Sequence, residues 1–426
     1  MLFSIAATTV TAGDNAWVLI STALVLLMCI PGLFLFYGGL VRTKNVLSIA
    51  AQCVALTAMG LLLWWAFGYS LVFGKSLQGS FLGHIFGGTE HLGFAGIGAE
   101  ASSYEGRISA GAFALFQAMF AAITPALIIG AVAERMKFSA VMLFSLLWTI
   151  FVYYPVAHAM WGQTGDFAGL ANPNAAFKAA DFAGGIVVHM TSGWSALLLC
   201  IMVGPRAGFG KRAMTPHSMV LCVLGTGLLW AGWYGFNAGS ALAADGVALQ
   251  AFLTTTLGAA AATLVWAIVE KLHRGKPSVL GLCSGSIAGL ATITNAAGFV
   301  SGSSAVLIGA LAGGLSYWAC SVLKGKLGYD DALDTFGVHG IGGTLGALAT
   351  GLLMSSTAHT AGGALIPQGL LQGQLLAMLL CILVSLGATW LIALFVAKFI
   401  GLGPTEEEEA QGLDIADHGE EGYQHN

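Results

Sequence analysis

Charged side chains are scarce in this 426-residue chain: Asp, Glu, Lys and Arg together make up 8% of it. Soluble domains carry about a quarter charged residues, so a water-soluble globular protein is excluded. The 16 Lys and Arg residues form no basic patch, which removes nucleic acid as a partner. The opening MLFSIAATTVTAGDNA has no Lys or Arg and only a short apolar run, and so makes a poor signal peptide. All seven cysteines (Cys29, Cys53, Cys200, Cys222, Cys283, Cys320, Cys381) fall in apolar runs and none forms a CxxC. Buried small hydrophobes are expected there, with no disulfide framework, zinc site or cofactor. No phosphate loop, metal cluster or nucleophile–base spacing appears either, so the chain does not read as an enzyme.

Apolar residues stand in their place, at 57% of the chain with a mean hydropathy of +0.83. A helix needs about 20 apolar residues to cross a bilayer core of about 30 Å. Eleven runs meet that need: 16–40, 46–73, 110–133, 138–161, 183–203, 218–239, 248–270, 279–297, 304–324, 335–355 and 372–400. They are long and continuous rather than alternating, which favours helices over barrel strands. The expected fold is therefore an all-α integral membrane protein of eleven transmembrane helices. The loops alternate in charge, with thirteen of the sixteen Lys and Arg residues on one side and only Lys75, Arg107 and Lys178 on the other. The positive-inside rule then places the N-terminus outside and the C-terminus in the cytoplasm of a plasma (inner) membrane protein.

Residues 1–403 read as the transmembrane domain. From Pro404 to Asn426 the chain holds eight acids, EEEE among them, with no Lys or Arg. This acidic cytoplasmic tail reads as a solvated end or a docking strip for a partner. The long loop 74–109, with His84, Glu90, His91, Glu100 and Glu105, reads as a solvated external segment rather than a metal site.

An odd number of spans per half gives the halves opposite topology, and spans 1–5 resemble spans 6–10. Span 1 ends LFYGG and span 6 ends GFNAGS; span 5 carries Asp181 and His189, and span 10 carries Asp334 and His339. Inverted repeats of this kind put the transport path near the midplane. Asp181 to His189 is roughly 12 Å of helix and Asp330 to His339 roughly 13–14 Å, so the imidazoles approach the centre from opposite faces. One buried His is as well explained by helix-to-helix hydrogen bonding. Two at matched places favour a conduction path. Burial disfavours imidazolium, so both rings are expected neutral, each with one donor and one acceptor. Such a lane suits ammonia, water or a proton relay. No Asp or Glu pair lies deep enough to serve a metal cation or a cation-coupled transporter.

The stretches DFAGGIVVHMTSG (181–193), FGVHGIGG (336–343), IPGLFLFYGGLVRTKN (30–45), AERMKFSA (133–140), GWYGFNAGSA (232–241) and GKPSVLGLCSGSIAGL (275–290) resemble the ammonium transporter family (Amt/MEP/Rh). The likeness runs from about residue 14 to the tail and is nearest the bacterial Amt branch. It implies a homotrimer with one pore per subunit, and ammonium or its analogue methylammonium as substrate. It implies recruitment of ammonium by Phe116, Trp161 and Ser240, a gate of Phe120 and Phe236, a twin-histidine pore of His189 and His339, and vestibule electrostatics from Asp181. By their bare pattern, the aromatics are also ordinary lipid-interface or core residues, and Asp181 an ordinary helix cap. One departure is FQAMF (116–120), where bacterial relatives commonly read FQGSF; Ala118 and Met119 add bulk beside the gate.

The resemblance implies that ammonium binds outside, loses its proton near the phenylalanines, and crosses as ammonia along the histidines, with the proton either crossing separately or remaining outside. Potassium has no proton to shed, so a dry lane rejects it on desolvation cost. The tail GLDIADHGEEGY (412–423) resembles the family's tail, which implies a PII-type regulatory protein as partner. The alternatives are an ammonium sensor signalling through that tail, or an Rh-type gas channel.

Overall fold

Every backbone N–H and C=O in an apolar solvent needs an internal partner, and long apolar runs meet that need as helices. The computed structural model describes residues 9–354 and 367–423. Residues 1–8 of the poor signal peptide, residue 355 of the run 335–355 and residues 424–426 of the tail lie outside it.

Among the described residues the regular structure is helical, apart from two isolated bridges, Ala101–Ser109 and Ala168–Ala179. Among these residues ten helices are long and apolar enough to cross a membrane: Ala12–Leu40, Thr43–Phe73, Ala110–Val132, Phe138–Trp161, Gly185–Val203, Met219–Gly239, Gly246–Arg274, Gly302–Leu327, Phe336–Leu353 and Leu370–Phe399. Each falls on an expected run. The remaining run, 279–297, gives the shorter helix Val279–Ile293, followed by turns. The helix stops because later groups find partners elsewhere. Asn295 donates to the Ala180 carbonyl (3.0 Å) and to Thr350 Oγ1 (2.7 Å), and the Ala297 carbonyl accepts from Thr254 (2.6 Å).

The starts are written in the sequence. Ser109, Ser218, Ser278 and Ser301 each accept an N–H three residues on, from Ala112, Leu221, Gly281 and Ser304. Asp245 does the same for Gly246–Arg274, which ends at Gly275 with φ +84° behind a basic last turn. Gly289 lets Val279–Ile293 lie flat on Gly246–Arg274: a Cβ there would be 2.8 Å from the Ala259 Cα. The most enclosed helix is Ala110–Val132. Peripheral helices expose leucine-rich rows at spacings of four or eight residues, such as Leu264, Ile268, Leu272 and Leu379, Leu383, Leu391. Such rows suit lipid or another subunit rather than water.

At the basic-loop face a buried ion network ties the helix ends. Arg206 Nη2 lies 2.8 Å from Asp330 Oδ1, and Glu134 Oε2 lies 3.0 Å from Arg42 Nη2 and 3.3 Å from Arg206 Nη1. Burial alone would raise the Glu134 carboxyl. The hydrogen bonds from Arg42 and the charges of Arg42 and Arg206 outweigh it and hold the group below its ordinary value. Asp330 is held low in the same way by Arg206 and Arg135.

The acidic tail is not a loose solvated end. Thr405 and Glu408 form a capping box on helix Glu406–Gln411. Asp414 Oδ1 accepts from Ser48 N (2.8 Å), Asp417 Oδ2 accepts from Phe138 N (3.0 Å), and Lys44 Nζ donates to the carbonyls of Glu409 and Ala410 (2.6 Å each). The helices Thr43–Phe73 and Phe138–Trp161 begin with unpaired N–H groups, and the tail's acids meet them. Loop 74–109 is also partly folded in: Tyr104 is buried and stacks on Phe113 with centroids 4.7 Å apart. Its titratable groups are engaged separately, His84 with Asp166 (2.8 Å), His91 with the Ala95 carbonyl (3.0 Å) and Glu105 with Arg107 (3.1 Å).

Candidate functional site

A cavity of about 100 Å³ opens on the face opposite the basic loops, with Trp161, Phe120, Asp181, Ser240 and Gln117 in its wall. Trp161 ends the helix Phe138–Trp161, and its indole N–H donates to the Asp181 carbonyl at 3.0 Å, which fixes the ring plane. The Asp181 carboxylate turns inward instead. Oδ1 accepts from the N–H groups of Gly184 (2.7 Å) and Gly185 (2.8 Å), and Oδ2 from Ile186 (3.0 Å) and Val187 (2.9 Å). It thus neutralises the open end of helix Gly185–Val203. Ser240 donates its hydroxyl proton to the Phe236 carbonyl (2.8 Å), leaving its oxygen lone pairs to accept.

Phe120 forms the floor of this cavity. Its ring lies 6.0 Å from Trp161 and only 4.3 Å from Phe236, tilted by 35°. Beneath lies a second cavity of about 20 Å³, lined by Phe236, Trp233, Leu127, Val188, His189 and His339. That is room for one molecule the size of water or ammonia. Phe120 borders only the upper cavity and Phe236 only the lower, so the two rings partition them.

His189 and His339 are both buried, 1% and 4% exposed. Their rings stack with centroids 5.1 Å apart at 19°, and Nδ1 faces Nδ1 at 3.2 Å. His189 also stacks on Trp233 (5.5 Å) and Phe236 (6.0 Å), and its Nε2 is buried with no protein partner. Both histidines sit in wide helical turns, Gly185–Met190 and Phe336–Ile341. The approach depends on glycine: a Cβ on Gly193 would overlap the backbone of Gly340.

Phe116 differs from its expected position: it is not in the wall of the upper cavity. Its ring is fully buried and packs edge-on against Phe120 at 5.0 Å. Ala118 and Met119 border neither cavity. The acid at the head of the second histidine segment also differs. Asp331, not Asp334, accepts the N–H groups of Thr335 (3.0 Å) and Phe336 (2.7 Å), whereas Asp334 has φ +63° and pairs with Lys324. Sequence reasoning missed Trp233, whose indole donates to Thr294 (2.9 Å), and Gln117, whose buried Oε1 has no partner. Gln117 lies in the quoted FQAMF, where a polar residue inside an apolar run was the available signal.

A polytopic helical protein with a polar mouth, an aromatic partition and a buried imidazole pair belongs among the channels and carriers of small solutes. Residues 16–423 match the Ammonium Transporter Family, and the chain belongs to that family. A protein of Methanothermobacter thermautotrophicus is 46% identical over 416 residues, covering 97% of this chain and 98% of its own. The ammonium transporter of Bacillus subtilis is 44% identical over 415 residues, with coverage of 97% and 98%. Among solved structures, Saccharomyces cerevisiae Mep2 superposes with a TM-score of 0.84 at 33% identity, covering 94% of this chain and 89% of that one.

Proposed function

We propose that this ammonium transporter captures ammonium in the Trp161–Ser240 cavity, where at the Phe120–Phe236 partition it gives its proton to water in the open mouth, and conducts the ammonia left behind past His189 and His339. The partition itself carries the reading. It separates a mouth able to hold a cation from an apolar pocket with no carboxylate in its wall. Trp161 and Phe120 supply aromatic faces for cation–π attraction, and Ser240 accepts an N–H. Phe116 acts from behind, by fixing the Phe120 ring. Asp181 holds the turn that carries His189, so its negative charge serves the mouth through the backbone it orders. A cation entering the lower pocket would lose its hydration without compensation, whereas ammonia would find imidazole partners.

The bundle is read as eleven crossings, with Val279–Ile293 and its following turns as the eighth, and a final helix after two inverted halves. Two wide histidine turns, each headed by a buried aspartate, support the inversion. The basic loops and the docked tail then face the cytoplasm of a plasma membrane, residues 1–403 form the transport domain and 404–426 the regulatory segment. A homotrimer would cover part of the exposed apolar rows, and a PII-type protein would meet the tail face.

Reconstituted vesicles test this reading. Radiolabelled methylammonium uptake should saturate, be displaced by ammonium and be untouched by potassium at constant ionic strength. Uptake that potassium displaces as well as ammonium does would contradict it.

A further inference from the structure

Arg107 is set among three carboxylates that arrive from separate segments. Its Nε lies 3.1 Å from Glu105 Oε1 and 3.8 Å from Asp14 Oδ2, and its Nη2 lies 3.1 Å from Asp245 Oδ2. Arg107, Glu105 and Asp245 share the wall of the upper cavity with Trp161, Phe120 and Ser240. The four groups sum to two negative charges at the mouth. We propose that Arg107 is a specificity-determining residue, which holds the rim carboxylates occupied so that capture is left to the aromatic and neutral acceptors below. The inference rests on the reading that this cavity receives ammonium.

A bare carboxylate draws ammonium and potassium alike, because both carry one charge on ions of similar size. Discrimination at the mouth must come from groups that recognise N–H: the Ser240 oxygen and the buried, unpartnered Oε1 of Gln117 in the same wall. Without the guanidinium, three uncompensated negative charges beside them would swamp that preference. The guanidinium satisfies the acids by direct hydrogen bonds, to Glu105 and Asp245, while leaving enough net negative charge to concentrate monovalent cations by steering. Glu105 is 2% exposed in its side chain, so its charge reaches the cavity rather than bulk water.

The test measures methylammonium uptake by the full chain in vesicles at fixed ionic strength, with potassium exchanged for a bulky organic cation. Arg107→Gln should lower KM about fivefold, the order expected from one unit charge near a partly screened site, with kcat unchanged. Potassium should become a competitive inhibitor at concentrations the parent ignores. Arg107→Lys should restore potassium indifference, because it restores the charge. Unchanged KM and potassium inhibition in a folded Arg107→Gln protein, or an Arg107→Lys protein that behaves like it, overturns the proposal. Should Arg107→Gln fail to fold, Glu105→Gln replaces it: a KM raised about fivefold with potassium still ignored supports the proposal, and an unmoved KM or a new inhibition by potassium overturns it. Absence of uptake by the parent itself would instead strike the reading of the cavity.

Discussion

Nδ1 of His189 and Nδ1 of His339 face each other at 3.2 Å across 150 positions of sequence. With both rings neutral, one nitrogen donates and the other accepts. The two Nε2 atoms must then differ, one bearing a proton and the other a lone pair. The pair therefore offers ammonia both an acceptor and a donor in a pocket otherwise lined by apolar and aromatic side chains. Protonating both rings would set two Nδ1 donors face to face, so a doubly charged pair cannot keep this geometry.

At the mouth, Ser240→Ala removes the acceptor and Trp161→Leu removes the aromatic face. Each contact to a cation contributes roughly 0.5–2 kcal/mol, so KM should rise about 2- to 30-fold. Saturation kinetics of methylammonium uptake check this, with kcat expected to move less than KM in both variants.

Close approach of the two histidine turns requires Gly193 to lack a side chain, since a Cβ would overlap Gly340. Gly193→Val should push the turns apart and break the imidazole contact. Transport is expected to fall at least about tenfold, the loss associated with misplacing reacting groups by an ångström or so. Gly204→Ala is the contrast: nothing lies near its Cβ, so its cost is confined to the strain of φ +88° in a loop.

The Arg42–Glu134–Arg206–Asp330 network makes a prediction for stability. Truncating Arg206 to Ala removes the hydrogen-bonded partner of the buried Asp330, leaving it Arg135 at 4.0 Å, and should destabilise by about 3–5 kcal/mol, visible as a lower Tm in detergent. Both acids are held below their ordinary values in the folded protein. Their contribution is therefore whole at neutral pH and is lost only as pH falls below the ordinary carboxylate range of about 4. Melting at stepped pH should show a plateau from neutrality down to that range, then a fall that the Arg206→Ala protein has in part already taken.

Much of this architecture was legible because membrane spans are set by length and apolarity, which one-dimensional sequence records. The ten long helices among the described residues fall on expected runs. Both histidines stood out as polar residues inside apolar runs. The contacts that depend on turns were not legible. Asp331 rather than Asp334 heads its segment because the backbone reverses between Lys324 and Thr335, and the positive φ at Asp334 turns that residue toward Lys324. Tail docking was hidden for the same reason: Asp414 and Asp417 read as solvated charge until the helix starts they cap are known. Phe116 and Phe120, one helical turn apart, share a pattern but not a cavity.

The most direct test is the ratio of ammonium to potassium flux in vesicles carrying the parent chain or the double variant His189→Ala, His339→Ala. Excluding a bare ion from the membrane centre is worth about 2.5–3.5 kcal/mol, and removing two imidazoles makes room for water that reduces this barrier. The account predicts that the parent passes ammonium and excludes potassium, while the double variant admits potassium and loses about tenfold or more of the ratio. A double variant that folds, transports methylammonium at the parent's rate and still excludes potassium would contradict it.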